Sequence, residues 1–245
     1  MSTVDAPARA LAVRDALLVG LTFASGAVDA IAFLGLDKVF SAFMTGNLVF
    51  LGLGVAGADD PQLDRVIAAL VAFAVGVFVA VRIVKPTRGS GIWPQRVSVS
   101  LGGAALAQTA FLVGWLVTSG LPSQRAGDAL IALSALALGM QSAAIMSLDV
   151  KGVFTTAATA TVIMLMSDEA GWSQSAPERR RLASVIAGLA AGAAAGGFLL
   201  LHARTYAPVL PLVATLAAIF VAAAVLRPNG RAVYLRTPRS DAKTM

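Results

Sequence analysis

The sequence predicts an all-α polytopic membrane protein, on the basis of its composition, its repeated apolar segments and the position of its charges. Of 245 residues, 58% are apolar and 13% are charged, and the mean hydropathy is +0.80. A soluble domain is about 45–50% apolar and about 25% charged. The composition therefore excludes a soluble globular enzyme, a disordered chain and a secreted disulfide scaffold. The net charge of +6 lies mostly between the apolar segments, which indicates membrane orientation rather than a nucleic-acid partner.

Eight apolar segments follow one another along a single membrane domain, residues 1–245. A helix that crosses the hydrocarbon needs roughly 20 apolar residues. Segments 2 and 6 are unusually polar, since segment 2 carries Thr45-Gly46-Asn47 at its middle and segment 6 is short and rich in threonine. We predict that both are short, interrupted or re-entrant, and that a basic tail follows at 227–245. The predicted segments are 16–36, 39–57, 66–84, 97–119, 127–148, 153–166, 182–201 and 206–226.

The segments fall into two repeats of four. With an offset of 114 residues, 33–51 aligns with 147–165 and matches Val39-Phe40 to Val153-Phe154. A second match, at an offset of 119 residues, links segment 3 to segment 7. Both matches keep the same order along the chain. We therefore predict a duplicated unit, with repeat 1 at about 12–119 and repeat 2 at about 127–226.

Two topologies stay open at this point, and both place the two termini in the cytoplasm. If all eight segments cross, the inner side holds 12 Lys and Arg residues and the outer side 7, with the basic loop 85–96 outside. If segments 2 and 6 return to the side from which they enter, six crossings remain and the counts become 15 and 4. Cytoplasmic loops carry an excess of Lys and Arg. The second topology makes the two halves run in opposite directions, as in many transporters.

Asp29 is the charged residue that lies deep within a predicted segment. An ionisable side chain at that depth costs roughly 2.5–3.5 kcal/mol and is by default a functional hypothesis. Thr22 and Ser25 share its helical face, which we expect to point into the bundle or a water-filled cavity. Two interpretations stay open. Asp29 is either a coupling group that titrates during transport, or a carboxylate that accepts hydrogen bonds from the Thr45–Asn47 turn and only stabilises the bundle.

The polar motifs of segments 2 and 6 form the candidate solute site. Glycine frees the backbone, and non-helical backbone at membrane depth survives only where it is buried in protein or lines a cavity. Threonine hydroxyls can instead bond their own i−4 carbonyls and contact no solute. Gln141 lies beside the second motif in the repeat and is included for that reason. The candidate solute-binding residues are Thr45, Gly46, Asn47, Gln141, Thr155, Thr156, Thr159 and Thr161.

Glycine spacing in segment 7 indicates close helix packing. Gly188, Gly192 and Gly196 fall four residues apart, which lets two helix backbones approach closely. They form either an internal seam or a homodimer face. With no cysteine and one histidine, the chain offers no thiolate or histidine-based metal site, and it has no phosphate loop for ATP. We expect no metal, no cofactor and no catalytic residues.

Two stretches of the sequence resemble a known family. Gly26-Ala27-Val28-Asp29-Ala30, followed by the motif from Val39 to Asn47, is similar to the YoaK-type family of bacterial membrane proteins, a domain of unknown function. Gly139-Met140-Gln141 and the residues from Gly152 to Thr156 resemble its second signature. The resemblance covers about 12–226, and it departs at Thr159-Ala160-Thr161, where the family pattern implies Thr-Gly-Thr. It implies an integral membrane protein of the bacterial plasma membrane and brings no established substrate.

These observations lead to a functional hypothesis and two alternatives. The first is a small secondary transporter for a small polar solute, with a central site at the repeat interface and Asp29 as the proton- or cation-coupling group. A symmetric homodimer is expected, because six crossings form a thin wall around a pathway. The alternatives are a passive channel, and a non-transporting scaffold or regulatory subunit whose basic tail docks partners or anionic lipid.

Overall fold

Eight α-helices make up most of the chain that the structure describes. The computed structural model describes residues 5–58, 62–84, 91–150, 158–169 and 175–226, and these contain no strand. The all-α prediction is confirmed for this part of the chain. The helices are α1 (Asp5–Gly35), α2 (Met44–Val55), α3 (Leu63–Val84), α4 (Gln95–Val117), α5 (Gln124–Met146), α6 (Ala158–Glu169), α7 (Ala176–His202) and α8 (Val209–Val225).

Helix length separates two classes. Within the described residues, six helices are long and apolar enough to cross a membrane: α1, α3, α4, α5, α7 and α8, the last together with the 3-10 turn before it. α2 and α6 have 12 residues each. At about 1.5 Å per residue such a helix spans about 18 Å, against about 30 Å of hydrocarbon. The prediction that segment 2 is short is confirmed, whereas α6 adjoins residues outside the described part of the chain at both ends, so the length of segment 6 stays a prediction.

The interruption in segment 2 lies before the Thr45-Gly46-Asn47 motif and not within it. α1 ends at Gly35, and Asp37 and Lys38 then adopt left-handed conformations with φ of 56° and 61°. The chain stays non-helical up to Met44, so that the motif forms the first turn of α2. The predicted break at the middle of the segment is corrected accordingly. The non-helical stretch before α2 results from the chain reversal after α1, and not from flexibility of the Thr45-Gly46-Asn47 motif.

α1 and α5 run in opposite directions. The middle of α1 meets the last turns of α5, where Gln141 Nε2 donates a hydrogen bond to Leu21 O at 3.0 Å. The last turns of α1 pack with the start of α5, in a cluster that contains Ile31 and Ile131. If α2, α3 and α4 all crossed the membrane, α1 and α5 would be parallel. The antiparallel pair therefore fits the topology of six crossings, in which α2 returns to the side from which it enters.

α1 and α7 form a parallel seam. A Cβ added at Gly188 would lie 3.0 Å from the side chain of Val19, and one added at Gly196 would lie 2.6 Å from Ala27 O. Residue numbers thus rise together on the two helices. All three predicted packing glycines, including Gly192, are buried in this seam. The stripe is an internal packing surface in this structure.

α3 and α5 repeat this arrangement in the other half. Gly127 lies against the guanidinium of Arg65, and Gly76 lies against the backbone of Leu136, so these two helices are also parallel. The first helix of each half therefore packs along the third helix of the other half. α4 packs on α5 and α8 packs on α1 in the same corresponding way. Two oppositely directed copies of one four-segment unit would give this arrangement, in which the first helix of each half packs against the third helix of the other.

Candidate functional site

Asp29 holds the loop that precedes α2. Its Oδ1 accepts hydrogen bonds from the backbone N–H groups of Ser41 and Ala42, each at 2.8 Å. Ser41 is joined to α5 as well, through a 2.7 Å contact between its hydroxyl and that of Ser134. Asp29 lies six residues before the end of α1, so the loop folds back into the bundle by about 9 Å. The carboxylate therefore lies at the positive N-terminal end of α2.

Asn47 holds the same loop from the side of α2. Its Nδ2 donates to Phe40 O at 2.7 Å, and its Oδ1 accepts from Phe40 N at 3.0 Å. The side chain is fully buried and bonds to both backbone groups of Phe40, as a neighbouring strand would. In this conformation the amide stabilises the loop, and its predicted role in binding a solute stays a prediction.

A cavity of about 470 Å³ lies beside Asp29, between α1 and α7. The loop before α2 closes one side of it with Phe40 and Phe43, and Phe33 of α1 lies in the same wall. Ala158, the first described residue of α6, also lines it, so α6 and the loop before α2 border one space. The remaining described lining residues are glycine, alanine and leucine. Asp29 is thus the one polar side chain among the described residues of the lining.

The predicted hydroxyl groups surround this cavity less closely than the sequence suggested. Thr45 and Gly46 are in the first turn of α2 and are not part of the described lining, and Thr45 is exposed. Thr159 directly follows the lining residue Ala158 but is exposed, whereas Thr161 is fully buried. The other two candidates of segment 6, Thr155 and Thr156, lie outside the described residues.

Gln141 lies at the crossing of α5 with α1 and not in the lining of the cavity. Besides the bond from Nε2 to Leu21 O, its Oε1 is buried and has no partner within the described part of the chain. The hydroxyl of Ser25, one turn after Leu21, is in the same situation. Buried polar atoms without a partner are rare in native proteins. The crossing therefore holds two polar atoms whose hydrogen-bonding capacity the described protein does not use.

Asp29 and Gln141 occupy corresponding positions in the two halves. Each lies eight residues before an aspartate with a left-handed conformation, Asp37 with φ 56° and Asp149 with φ 52°. One half therefore carries a carboxylate where the other carries a neutral amide. The correspondence can be recognised in the sequence, but it requires an offset of 112 residues, whereas segments 2 and 6 align at an offset of 114 residues.

One end of the bundle is closed by a buried arginine. Arg65, near the start of α3, donates from Nε to Asp128 Oδ1 at 2.9 Å and from Nη2 to Gln124 O at 3.2 Å. Its Nη1 pairs with Asp37, just after α1. The side chain of Arg65 is only 4% exposed. We call this end, formed by the end of α1 and the starts of α3 and α5, the Arg65 end.

The opposite end carries a corresponding but looser ion pair. Arg181, near the start of α7, lies 3.7 Å from Asp15 of α1, and a crevice of about 430 Å³ opens beside the pair. We call this end, formed by the starts of α1 and α7, the Arg181 end. In the sequence these arginines are recognisable only as loop charges. The signal that could have found the pairs is the spacing of Asp15 and Asp128, which are 113 residues apart, close to the repeat offset.

The fold and the site define a polytopic α-helical membrane protein, with six long helices and two short ones in the described residues and a carboxylate at the junction of its halves. The comparisons agree with this class. The chain belongs to the family described as "Protein of unknown function (DUF1275)", whose profile matches residues 17–222. It is similar to the UPF0700 transmembrane protein YoaK of Bacillus subtilis (strain 168), with 34% identity over 165 residues, which is 66% of this chain and 70% of that protein. No solved structure matches the chain.

Proposed function

We propose that this protein is a small secondary transporter that moves a small polar or charged solute across the bacterial plasma membrane by alternating access. Its central site is the cavity beside Asp29, and Asp29 is the group that couples transport to a proton or cation. Many transporters consist of two oppositely directed halves with broken helices around a midplane site. The antiparallel α1 and α5, together with the cavity that α6 and the loop before α2 both border, support this assignment.

The observation that carries the proposal is the pair of corresponding ion pairs at opposite ends of the bundle. Alternating access requires two conformations in which one end is closed while the other is open. Here Arg65 is buried and has three partners, whereas Arg181 lies 3.7 Å from Asp15 and 3.9 Å from Glu178, beside a crevice. If the Arg65 end opened while the Arg181 end closed, the cavity would become accessible from the opposite side of the membrane. A passive channel has no need of such complementary closures.

Charge placement gives the orientation of the proposal. With six crossings, 15 Lys and Arg residues lie on the side of the Arg181 end and 4 on the side of the Arg65 end. Lys and Arg accumulate in cytoplasmic loops. The Arg181 end and both termini are therefore cytoplasmic in the proposed topology, and the crevice beside Arg181 faces the cytoplasm.

A labelling experiment tests alternating access without knowledge of the solute. The natural chain has no cysteine, so Ala193→Cys places a single thiol in the wall of the cavity. An impermeant maleimide is then applied to vesicles of either orientation, in three backgrounds: Arg65→Gln, Arg181→Gln and, as a matched control, Arg125→Gln, which belongs to neither ion pair. We expect Arg65→Gln to raise labelling from the Arg65 end and to lower it from the Arg181 end, and Arg181→Gln to do the reverse.

The alternatives give other patterns of labelling. In a channel, a substitution at one end leaves labelling from the other end unchanged, because the two ends open independently. In a scaffold, labelling responds to neither substitution. Either pattern, in protein that melts like the Arg125→Gln control, would overturn the proposal.

A further inference from the structure

We infer that the cavity beside Asp29 binds an organic cation with an apolar or aromatic body. This inference names the substrate class of the proposed transporter and so rests on the proposed function. Its basis is the meeting of one carboxylate with an aromatic wall in a space of about 470 Å³.

The carboxylate has unused capacity for a cationic ligand. Its hydrogen bonds from Ser41 and Ala42 both go to Oδ1, and the backbone N–H of Phe43 is the third donor that faces the carboxylate. A carboxylate can accept about four hydrogen bonds. No described Lys or Arg forms an ion pair with Asp29. An anionic solute would be repelled here, whereas a cation gains an ion pair in a poorly solvated site.

The wall of the cavity favours a cation that has an apolar body. The rings of Phe33 and Phe40 are stacked at 4.8 Å, and Phe43 meets Phe40 edge to face at 5.2 Å. Aromatic rings attract cations through their quadrupole, most strongly when water is excluded. A neutral sugar would find neither the hydroxyls of the two threonine motifs nor an amide in the described lining.

Size and donor number argue against a bare inorganic cation. The volume lies within the range of about 300–1,000 Å³ of pockets that bind small molecules. A hard cation such as Ca²⁺ takes about six to eight oxygen ligands, and the described lining supplies one carboxylate. The remaining lining is apolar, and a bare ion would leave that surface uncovered.

One carboxylate cannot hold a proton and an organic cation at the same time. When the cation binds the protonated site, Asp29 loses its proton to water and the carboxylate pairs with the cation, so one proton leaves for each cation bound. No other described lining residue from α1, α6, α7 or the loop is titratable, nor are Ser134 and Leu138, which face this region from α5. Binding of the cation therefore tightens as the pH rises, and exchange of the two ions gives antiport.

Calorimetric titration of the purified, full-length protein in detergent tests the inference. The probe is tetraphenylphosphonium, with tetraphenylborate as an anion of the same shape and triphenylphosphine oxide as a neutral analogue. We expect binding of the cation alone, with proton release. Asp29→Asn keeps an acceptor for the loop amides and should weaken binding by about 10- to 150-fold. Asp149→Asn, at the corresponding exposed turn of the other half, should leave binding unchanged.

A second pair of variants keeps the test decisive if Asp29→Asn fails to fold. Phe43→Leu should weaken binding of the cation by about 2- to 30-fold, because it removes one ring but retains apolar volume. Phe198→Leu, on the exposed face of α7 where that ring stacks on His202, should have no effect. Equal binding of the anion or the neutral analogue, or no binding of the cation by folded protein, would overturn the inference. If the inference fails but Arg65→Gln and Arg181→Gln still change the labelling of Ala193→Cys in opposite directions, the protein is a transporter of another class of solute.

Discussion

Replacement of Gly192 by alanine tests the parallel seam between α1 and α7, which forms two sides of the cavity. The added Cβ would collide with the carbonyl oxygen of Phe23 and lie 2.7 Å from the carbonyl carbon and 2.9 Å from Cα of the same residue. These are backbone atoms of a facing helix and cannot move aside as a flexible side chain would. Overpacking of this kind costs about 1–3 kcal/mol, and the better helix propensity of alanine returns about 1 kcal/mol.

The expected net loss is therefore up to about 2 kcal/mol, which corresponds to a Tm lower by up to about 8 °C for a chain of this size, and the loss is about 1–3 kcal/mol relative to a Gly→Ala change without a collision. Thermal unfolding of purified protein in detergent measures it. Gly20→Ala is the matched control, because a Cβ at that position of α1 has no heavy atom within 4 Å, and its Tm should be unchanged or higher. If Gly192→Ala is as stable as Gly20→Ala, α1 and α7 do not pack as described here.

Three further predictions concern the loop, the Arg65 end and the topology. Asn47→Ala leaves two backbone groups of the loop without their partners and should cost at least about 2 kcal/mol in the free energy of unfolding, measured by thermal or chemical unfolding. In a double-mutant cycle, Arg65→Met and Asp128→Asn should couple by about 1–3 kcal/mol, below the range for a fully buried pair because the aspartate is 33% exposed. In intact cells an impermeant maleimide should label Ser123→Cys, and it should label Gln95→Cys only after permeabilisation; the opposite pattern would invert the topology.

Local sequence properties predicted the helical segments well. The offset of 114 residues, found from Val39-Phe40 and Val153-Phe154, aligns Thr45 of α2 with Thr159 of α6. Polar motifs distinguished segments 2 and 6 from the six long ones, although segment 2, at 39–57, is as long as segment 3, at 66–84. These features depend only on neighbouring residues along the chain, which is why they could be read from the sequence.

The partners of the charged and polar side chains could not be predicted in this way. The amides that Asp29 binds are 12 and 13 residues further along the chain, and they reach it only because the chain reverses at Asp37 and Lys38. The same reversal brings Phe40 beside Phe33 of α1 and so builds the aromatic wall. The expectation of a hydroxyl-lined site rested on residue type alone, and residue type does not specify which groups face a cavity.

The two halves match in helix packing but differ in charge, and Gln141 tests whether that difference is built into the fold. Its Nε2 donates to Leu21 O, and its Oε1 is buried without a described partner. Gln141→Met removes the unpaired oxygen and leaves Leu21 O within α1, so its free energy of unfolding should change by less than about 1 kcal/mol. Gln141→Glu places a carboxylate against that carbonyl oxygen and should be less stable than Gln141→Met by about 1–3 kcal/mol. If Gln141→Glu melts as high as Gln141→Met, the crossing of α1 and α5 accommodates a charge, and the restriction of the carboxylate to one half has no basis in stability.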